Sequence, residues 1–210
     1  MTQAQNQERQ RGKLVIISGP SGVGKSTITR ALIERLPDTY LSISMTTRPQ
    51  AAGEQNGRDY WFVSRDEFHR RIGEGALLEY AEVFGNLYGT PRDKTEEALT
   101  AGRTVILEID VQGAKQVKAI YPQAVMIFIL PPSTRILVER MGRRGRDNEQ
   151  VAARRLQAAS NEIALAWQYY DNMVINDDLE EAINEVVQIV ADAAPITEDG
   201  NNNQDHTGEN

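Results

Sequence analysis

Cysteine is absent from this 210-residue chain, histidine occurs only at His69 and His206, and no apolar run approaches a bilayer span. The first absence excludes a disulfide framework and a thiolate metal site. The second leaves two distant imidazoles, too few for a zinc centre. The third excludes a membrane-spanning helix, which needs ~20 consecutive apolar residues. The start, MTQAQNQERQRGK, has no apolar stretch after its charges and does not read as a secretory signal. Positive charge is scarce too: 23 Lys and Arg face 30 Asp and Glu, a net charge of −7. That balance argues against nucleic acid or an anionic membrane as a partner. A cytoplasmic protein is expected, and nothing in the pattern selects between a monomer and a homo-oligomer.

What is present suits one sizeable domain, with 40% hydrophobic residues to furnish a core. Leu14–Ser18 (LVIIS) reads as a buried strand ending at glycines, and residues 25–36 follow with Ile28, Ala31, Leu32 and Arg35 at helical spacing. Residues 104–110 (TVILEID) and 124–130 (AVMIFIL) are further apolar strands followed by helical patterns, and 173–175 is a last short strand. Strands that are apolar throughout and alternate with helices predict an α/β fold with a parallel sheet covered on both faces.

Two segments break that alternation and read as inserted lobes. Residues 42–90 are rich in polar strand and turn signals. Within them Ser64-Arg65-Asp66-Glu67 is a capping box opening a short helix. Just beyond, Thr90 is a candidate N-cap with Pro91 at the first helical position. Residues 133–170 form a helical pair joined by the basic stretch RMGRRGR. The core is then 13–41, 91–132 and 171–191. The polar ends, 1–12 and 192–210, are expected to be solvated tails.

Gly19-Pro20-Ser21-Gly22-Val23-Gly24-Lys25-Ser26 matches G-x-x-x-x-G-K-[ST] between a strand and a helix. Glycines let the backbone curl so that N–H groups converge on phosphate oxygens, and the helix N-terminus adds positive potential. Lys25 can reach the outer phosphates, the Ser26 hydroxyl can ligate Mg²⁺, and Thr27 completes the loop's binding set. This implies a nucleoside triphosphate site on a P-loop NTPase-type sheet. Asp110, ending the TVILEID strand, would face the nucleotide. There it would bind Mg²⁺ through water, hydrogen-bond a substrate, or simply cap the strand end.

A phosphate loop does not by itself separate kinases from GTPases. Asp110-Val111-Gln112-Gly113 even fits the D-x-x-G pattern of GTPases, but the chain has no N-K-x-D segment to read guanine. Transfer to a second phosphate needs cations from several directions. Residues 133–155 supply Arg135, Arg140, Arg143, Arg144, Arg146, Arg154 and Arg155, and Gly142 and Gly145 weaken helix propensity as a mobile lid requires. On a static surface helix the same arginines would be a solvated face.

Six motifs then appear in one order: GPSGVGKS, S-x-T-T-R with G-E-x-N-G-x-D-Y, LLEYAEVFGNLYGT, LEIDVQGA, RxGRRGRD and VIND. In these the chain resembles the guanylate kinases over residues 13–191. The resemblance implies an ATP:GMP phosphotransferase with a GMP-binding lobe at 42–90 and a helical lid at 133–170. It uses ATP as donor, Mg²⁺ as metal, and GMP or dGMP as acceptor. It assigns Arg48, Tyr60 and Tyr88 to the GMP phosphate and Glu79, Ser44, Thr90 and Asp110 to the base. It further assigns Arg140, Arg144 and Arg155, with Lys25 and Arg48, to catalysis, and Asn176 to the donor adenine. Trp61 and Phe62 read as packing residues.

One position departs from the family pattern T-T-R-x-x-R-x-G-E. Ala51 stands where a second phosphate-binding arginine is usual, and Arg58 and Arg92 are candidates to replace it. The departure slightly favours a rival reading, a guanylate-kinase-like binding module, against which the intact phosphate loop argues. Against a second rival, a related kinase with another acceptor, stand Ser44, Glu79 and Thr90.

Overall fold

The computed structural model describes residues 11–142 and 149–197. In chain order the elements are β1 (Leu14–Ser18), α1 (Lys25–Arg35), β2 (Thr39–Leu41), β3 (Met45–Thr46), β4 (Trp61–Phe62), α2 (Arg65–Gly73), β5 (Leu77–Val83) and β6 (Asn86–Pro91). There follow α3 (Arg92–Thr100), β7 (Thr104–Glu108), α4 (Val111–Ile120), β8 (Val125–Leu130), α5 (Thr134–Gly142), α6 (Glu149–Tyr169), β9 (Asn172–Ile175) and α7 (Leu179–Asp192). Among the described residues, five strands form a parallel sheet in the order β2-β7-β1-β8-β9.

The apolar strands are buried on both faces because their alternate residues feed two different cores. Leu14, Ile16, Val105, Leu107, Met126 and Phe128 pack with Leu99, Val111, Val117 and Ala166 of α3, α4 and α6. Val15, Ile17, Ile106, Ile127 and Ile129 pack with Ile28 and Leu32 of α1 and Ile183, Val186 and Val190 of α7. Each fully buried Ile or Leu contributes about 1.5–3 kcal/mol relative to exposure. The sheet is therefore a rigid base, and its central strand β1 carries the phosphate loop at its C-terminal end.

A second sheet, β4-β3-β6-β5, stands apart from the first. Its own small core is Met45, Phe68, Leu77 and Leu87, with Phe68 supplied by α2. The start of α2 agrees with the capping-box reading, since the Glu67 N–H donates to Ser64 Oγ at 3.1 Å. A separate cluster of Leu137, Met141 and Ala159 joins α5 to α6.

Three expectations are corrected. Thr90 is not a helix cap: it lies within β6, and α3 begins after Pro91 with no side-chain cap. Proline at the end of a strand and proline at the start of a helix leave the same local signature, and strand pairing decides here. Asp110 does not end β7, which stops at Glu108. It is the N-cap of α4, with its Oδ1 accepting from Gly113 N–H at 2.8 Å. Nor do the polar ends stay in solvent at their inner limits. Gly12 N–H donates to Leu99 O at 2.7 Å, and Ile196 N–H donates to Gly12 O at 3.0 Å. Ile196 is 3% exposed, inserted in the core that α3, α4 and α6 form on that face of the sheet. A single apolar residue in a polar run gives no periodic signal, yet one buried isoleucine suffices to dock a segment.

Candidate active site

The phosphate loop turns from β1 into α1 through Gly24, whose φ of +109° is a conformation that favours glycine. A Cβ at Gly24 would also lie 2.4 Å from Asn176 Nδ2. No side chain caps α1, so the positive end of its dipole is turned toward the cleft to favour an anion. Lys25 folds back over the loop, with its Nζ donating to Gly19 O at 2.5 Å and Pro20 O at 3.2 Å. Ser26 Oγ donates to Glu108 Oε1 at 2.8 Å. Beneath the loop, Tyr170 OH donates to Ser18 Oγ and Ser18 Oγ to Ile109 O, both at 2.7 Å.

That loop forms one wall of a cleft of about 800 Å³. Gly19, Ser21, Gly22, Gly24, Lys25, Ser26 and Thr27 line it, while Pro20 and Val23 lie buried behind. The second sheet forms the facing wall with Ser44, Arg48, Tyr60, Glu79 and Tyr88, and Asp110 lies between at the end of the parallel sheet. Six of the seven residues expected at an acceptor nucleotide therefore share one cavity with the phosphate loop. Thr90, the seventh, sits directly behind Glu79 and donates its hydroxyl to Glu79 Oε1 at 2.7 Å.

Glu79 is 4% exposed. Burial pushes its carboxyl up to about 7, with the Thr90 hydrogen bond opposing and the Asp110 charge adding to the rise. Its Oε2 lies 2.3 Å from where a Cβ on Gly113 would stand, so only glycine at the start of α4 leaves room for it. A buried carboxylate held only from the side of Thr90 has lone pairs to spare for a ligand's N–H groups. Tyr60 is likewise desolvated, its hydroxyl raised to about 12, and meets Tyr88 edge-on at 6.0 Å.

Arg48 lies 5.3 Å over the Tyr60 ring and 5.6 Å over Phe62. Its Nη1 donates to Pro49 O at 2.9 Å, and its Nη2 donates to Glu54 Oε1 at 2.8 Å. Phe62 is thus part of the arginine's support, whereas Trp61 is 42% exposed. Ala51 lines the cleft beside Arg48. Neither candidate substitute for the missing arginine reaches the wall. Arg58 is committed to Asp59 and Gly53 O, and Arg92 to Gly75 O and Leu77 O.

Two further assigned residues stand against the back of the phosphate loop rather than on the cleft lining. Asn176 is 4% exposed, and its Nδ2 donates to Val23 O at 2.7 Å, so it braces the phosphate loop from behind. Arg140 points to the same place, with its Nη1 donating to Asn176 O at 3.2 Å and Val23 O at 3.5 Å. Arg144 and the side chain of Arg155 lie outside the described residues.

Three carboxylates on the cleft wall, Glu54, Glu108 and Glu162, were not singled out by the sequence. Glu162, on α6, is raised to about 7 by burial, against the pull of Lys25 and with Asp110 adding. Its burial depends on the packing of α6 across the cleft, which no local pattern records. Glu108 had a local signal, being the last residue of β7 and two residues before Asp110. Its hydrogen bond with Ser26 puts a hydroxyl and a carboxylate oxygen side by side at the phosphate loop, the oxygen donors a hard cation takes. Among the described residues no group of three or more His, Asp or Glu could hold a metal alone. Ser26 with one carboxylate nearby fits a metal that arrives on substrate phosphates instead.

A donor-phosphate loop and a desolvated carboxylate facing each other across one cavity are the arrangement of a nucleotide phosphotransferase, and comparison with known proteins agrees. The guanylate kinase family model matches residues 11–193. The chain belongs to the guanylate kinase family. It is 47% identical to a guanylate kinase from Synechocystis over 90% of this chain and 98% of that one. It is 51% identical to one from Bordetella pertussis, over 87% and 84% respectively. The crystal structure of a guanylate kinase from Anaplasma phagocytophilum superposes with a TM-score of 0.73 at 35% identity, covering 87% of this chain and 86% of that chain. No helix of the described residues is long and apolar enough to cross a membrane.

Proposed function

We propose that this protein transfers the γ-phosphoryl group of ATP to GMP, giving ADP and GDP by direct in-line displacement with Mg²⁺. The observation that carries the proposal is one cleft shared by the phosphate loop and the buried Glu79–Thr90 pair. Glu79 accepts from guanine N1–H and N2–H, the two donors its spare lone pairs call for. Adenine presents an acceptor at N1 and leaves the buried carboxylate unpaired, at a cost of several kcal/mol. Ser44 and Asp110 complete the base pocket. dGMP serves as a further acceptor, since it differs only at a sugar hydroxyl away from base and phosphate.

Arg48, Tyr60 and Tyr88 hold the acceptor phosphate, while Lys25 and the N–H groups of the loop and α1 hold the donor's. The Ser26 hydroxyl, with Glu108 beside it, would hold Mg²⁺, which supplies charge neutralisation on the transferring phosphoryl group. No side chain acts as nucleophile, because the acceptor phosphate is already anionic. The residues bind, align and exclude water. Arg140, Arg144 and Arg155 bring further positive charge to the donor as the lid region 133–170 closes over the core. Asn176 acts by fixing the loop that carries Lys25. With Ala51 in place of a second arginine, GMP binds more weakly than in relatives that keep one. We place this activity in the cytoplasm.

The test is ADP formation from ATP with GMP, dGMP, AMP, CMP and UMP as separate acceptors. Turnover with GMP and dGMP alone supports the assignment. Silence with every acceptor rejects it in favour of a binding module.

A further inference from the structure

The turn at residues 51–54 brings a carboxylate into the acceptor half of the cleft. Gly53, at φ +86°, reverses the chain, and Glu54 N–H donates to Ala51 O at 3.2 Å. This directs the Glu54 side chain back at the arginine. Its Oε1 accepts from Arg48 Nη2 at 2.8 Å, and its Oε2 accepts from the Ala51 N–H at 2.7 Å. One guanidinium N–H and one backbone N–H thus grip two oxygens of a single anion, a donor set equally suited to two oxygens of a phosphate. Both partners are only about a quarter exposed, Arg48 at 26% and Glu54 at 25%, and both line the cleft.

Arg48 does not depend on this contact for its place. It stacks over Tyr60 and Phe62, donates to Pro49 O, and its own N–H donates to Thr46 Oγ1 at 3.1 Å. The contact instead cancels the arginine's charge, and Ala51 contributes none to restore it.

We propose that Glu54 is an intramolecular stand-in for the acceptor's phosphate: it fills the anion seat of Arg48 and Ala51 N–H and must leave for a phosphate to bind. It therefore sets the affinity for the acceptor rather than the rate of transfer. This rests on the assignment of Arg48 to the acceptor phosphate made above.

The test uses two variants of the full-length protein, Glu54→Gln, which removes the charge and keeps the shape, and Glu54→Ala, which removes both. A partly exposed ion pair that no longer competes lowers the Michaelis constant for GMP about fivefold, with kcat and the Michaelis constant for ATP changing far less. The thermal midpoint falls at the same time, because the empty protein loses an ion pair. Affinity and stability moving in opposite directions is the signature a supporting residue does not give. A Michaelis constant for GMP that rises or stays the same in both variants overturns the proposal. Inorganic phosphate, titrated calorimetrically, gives a readout independent of turnover. Binding that is tighter to Glu54→Gln than to the unaltered protein supports the stand-in even if no nucleotide is phosphorylated. Equal or weaker binding rejects it.

Discussion

Replacing Glu79 by glutamine should stabilise the empty protein at alkaline pH and disable it toward GMP. The carboxyl titrates near 7 instead of 4.5, chiefly because it is buried. At 1.36 kcal/mol per pH unit, that rise makes ionised Glu79 cost the ligand-free fold about 3 kcal/mol. Below pH ~4.5 the group is protonated in both folded and unfolded chains, and the fold keeps its full stability. Between 4.5 and about 7 the unfolded chain gives up its proton first, so stability falls with rising pH, and above 7 the loss is complete. Glutamine has no proton to lose and shows no such slope. Thermal unfolding of both proteins without ligand, at pH 5, 6, 7 and 8, checks this. The midpoints should differ by only about 2–3 °C at pH 5 and separate to about 6–12 °C in favour of Glu79→Gln at pH 8.

Binding provides the converse. Guanine's two donors call for the ionised carboxylate, so the Michaelis constant for GMP should rise about tenfold from pH 8 to pH 6. The variant removes that part of the dependence, leaving the ionisation of GMP itself and of Glu162, and its kcat/KM for GMP falls about 100-fold or more. A variant no more stable than the parent at pH 8 would show that Glu79 is not held against its preference, and the reasoning would fail.

Other expected outcomes concern the walls around this residue. Ala51→Arg adds a cation beside Arg48 and should lower the Michaelis constant for GMP about tenfold, with kcat less affected. No change in steady-state kinetics would remove the role given to that position. Asn176→Ala deletes the buried bond to Val23 O and should destabilise by about 1–3 kcal/mol while raising the Michaelis constant for ATP more than that for GMP. Ser64→Ala removes the cap of α2, far from the phosphate loop, and should cost about 1 kcal/mol in denaturant unfolding with kinetic constants unchanged.

Legibility in the sequence followed the range of the forces involved. The phosphate loop, the Ser64 cap and the alternation of β1, β7 and β8 are local, set by residues within a turn or a strand of one another. The order of the motifs carried the acceptor residues as well, and Ser44, Arg48, Tyr60, Glu79 and Tyr88 do meet on one wall. What stayed hidden needed partners distant in sequence. Thr90 resembled a cap because its strand partner Glu79 lies eleven residues back. Asn176 was assigned by resemblance to a nucleotide base, and its burial against Gly24 is a matter of how β9 lies beside the loop. Glu54 reads in the sequence as part of a motif and not as a charge, since its pairing depends on a turn that brings it back onto Arg48.

Charge on the cleft wall explains why such a cavity needs helpers. Lys25 and Arg48 are its cations among the described residues, against the carboxylates of Glu54, Glu79, Glu108, Asp110 and Glu162. Partial protonation of Glu79 and Glu162 near neutral pH lessens the excess without removing it. Two polyanionic nucleotides entering this space meet a net negative lining, and in a low-dielectric cleft that repulsion is felt strongly. Under the proposed function, the missing positive charge comes with the donor, as its metal ion, and from the arginines assigned to the lid. Arg140 already stands at the back of the phosphate loop, tied to Asn176 O and Val23 O. On that proposal, transfer between the two phosphates is favoured when donor, metal and lid arginines are assembled together. The same acidic lining that weakens each nucleotide's binding alone makes reaction without closure, and loss of the phosphoryl group to water, the less favoured course.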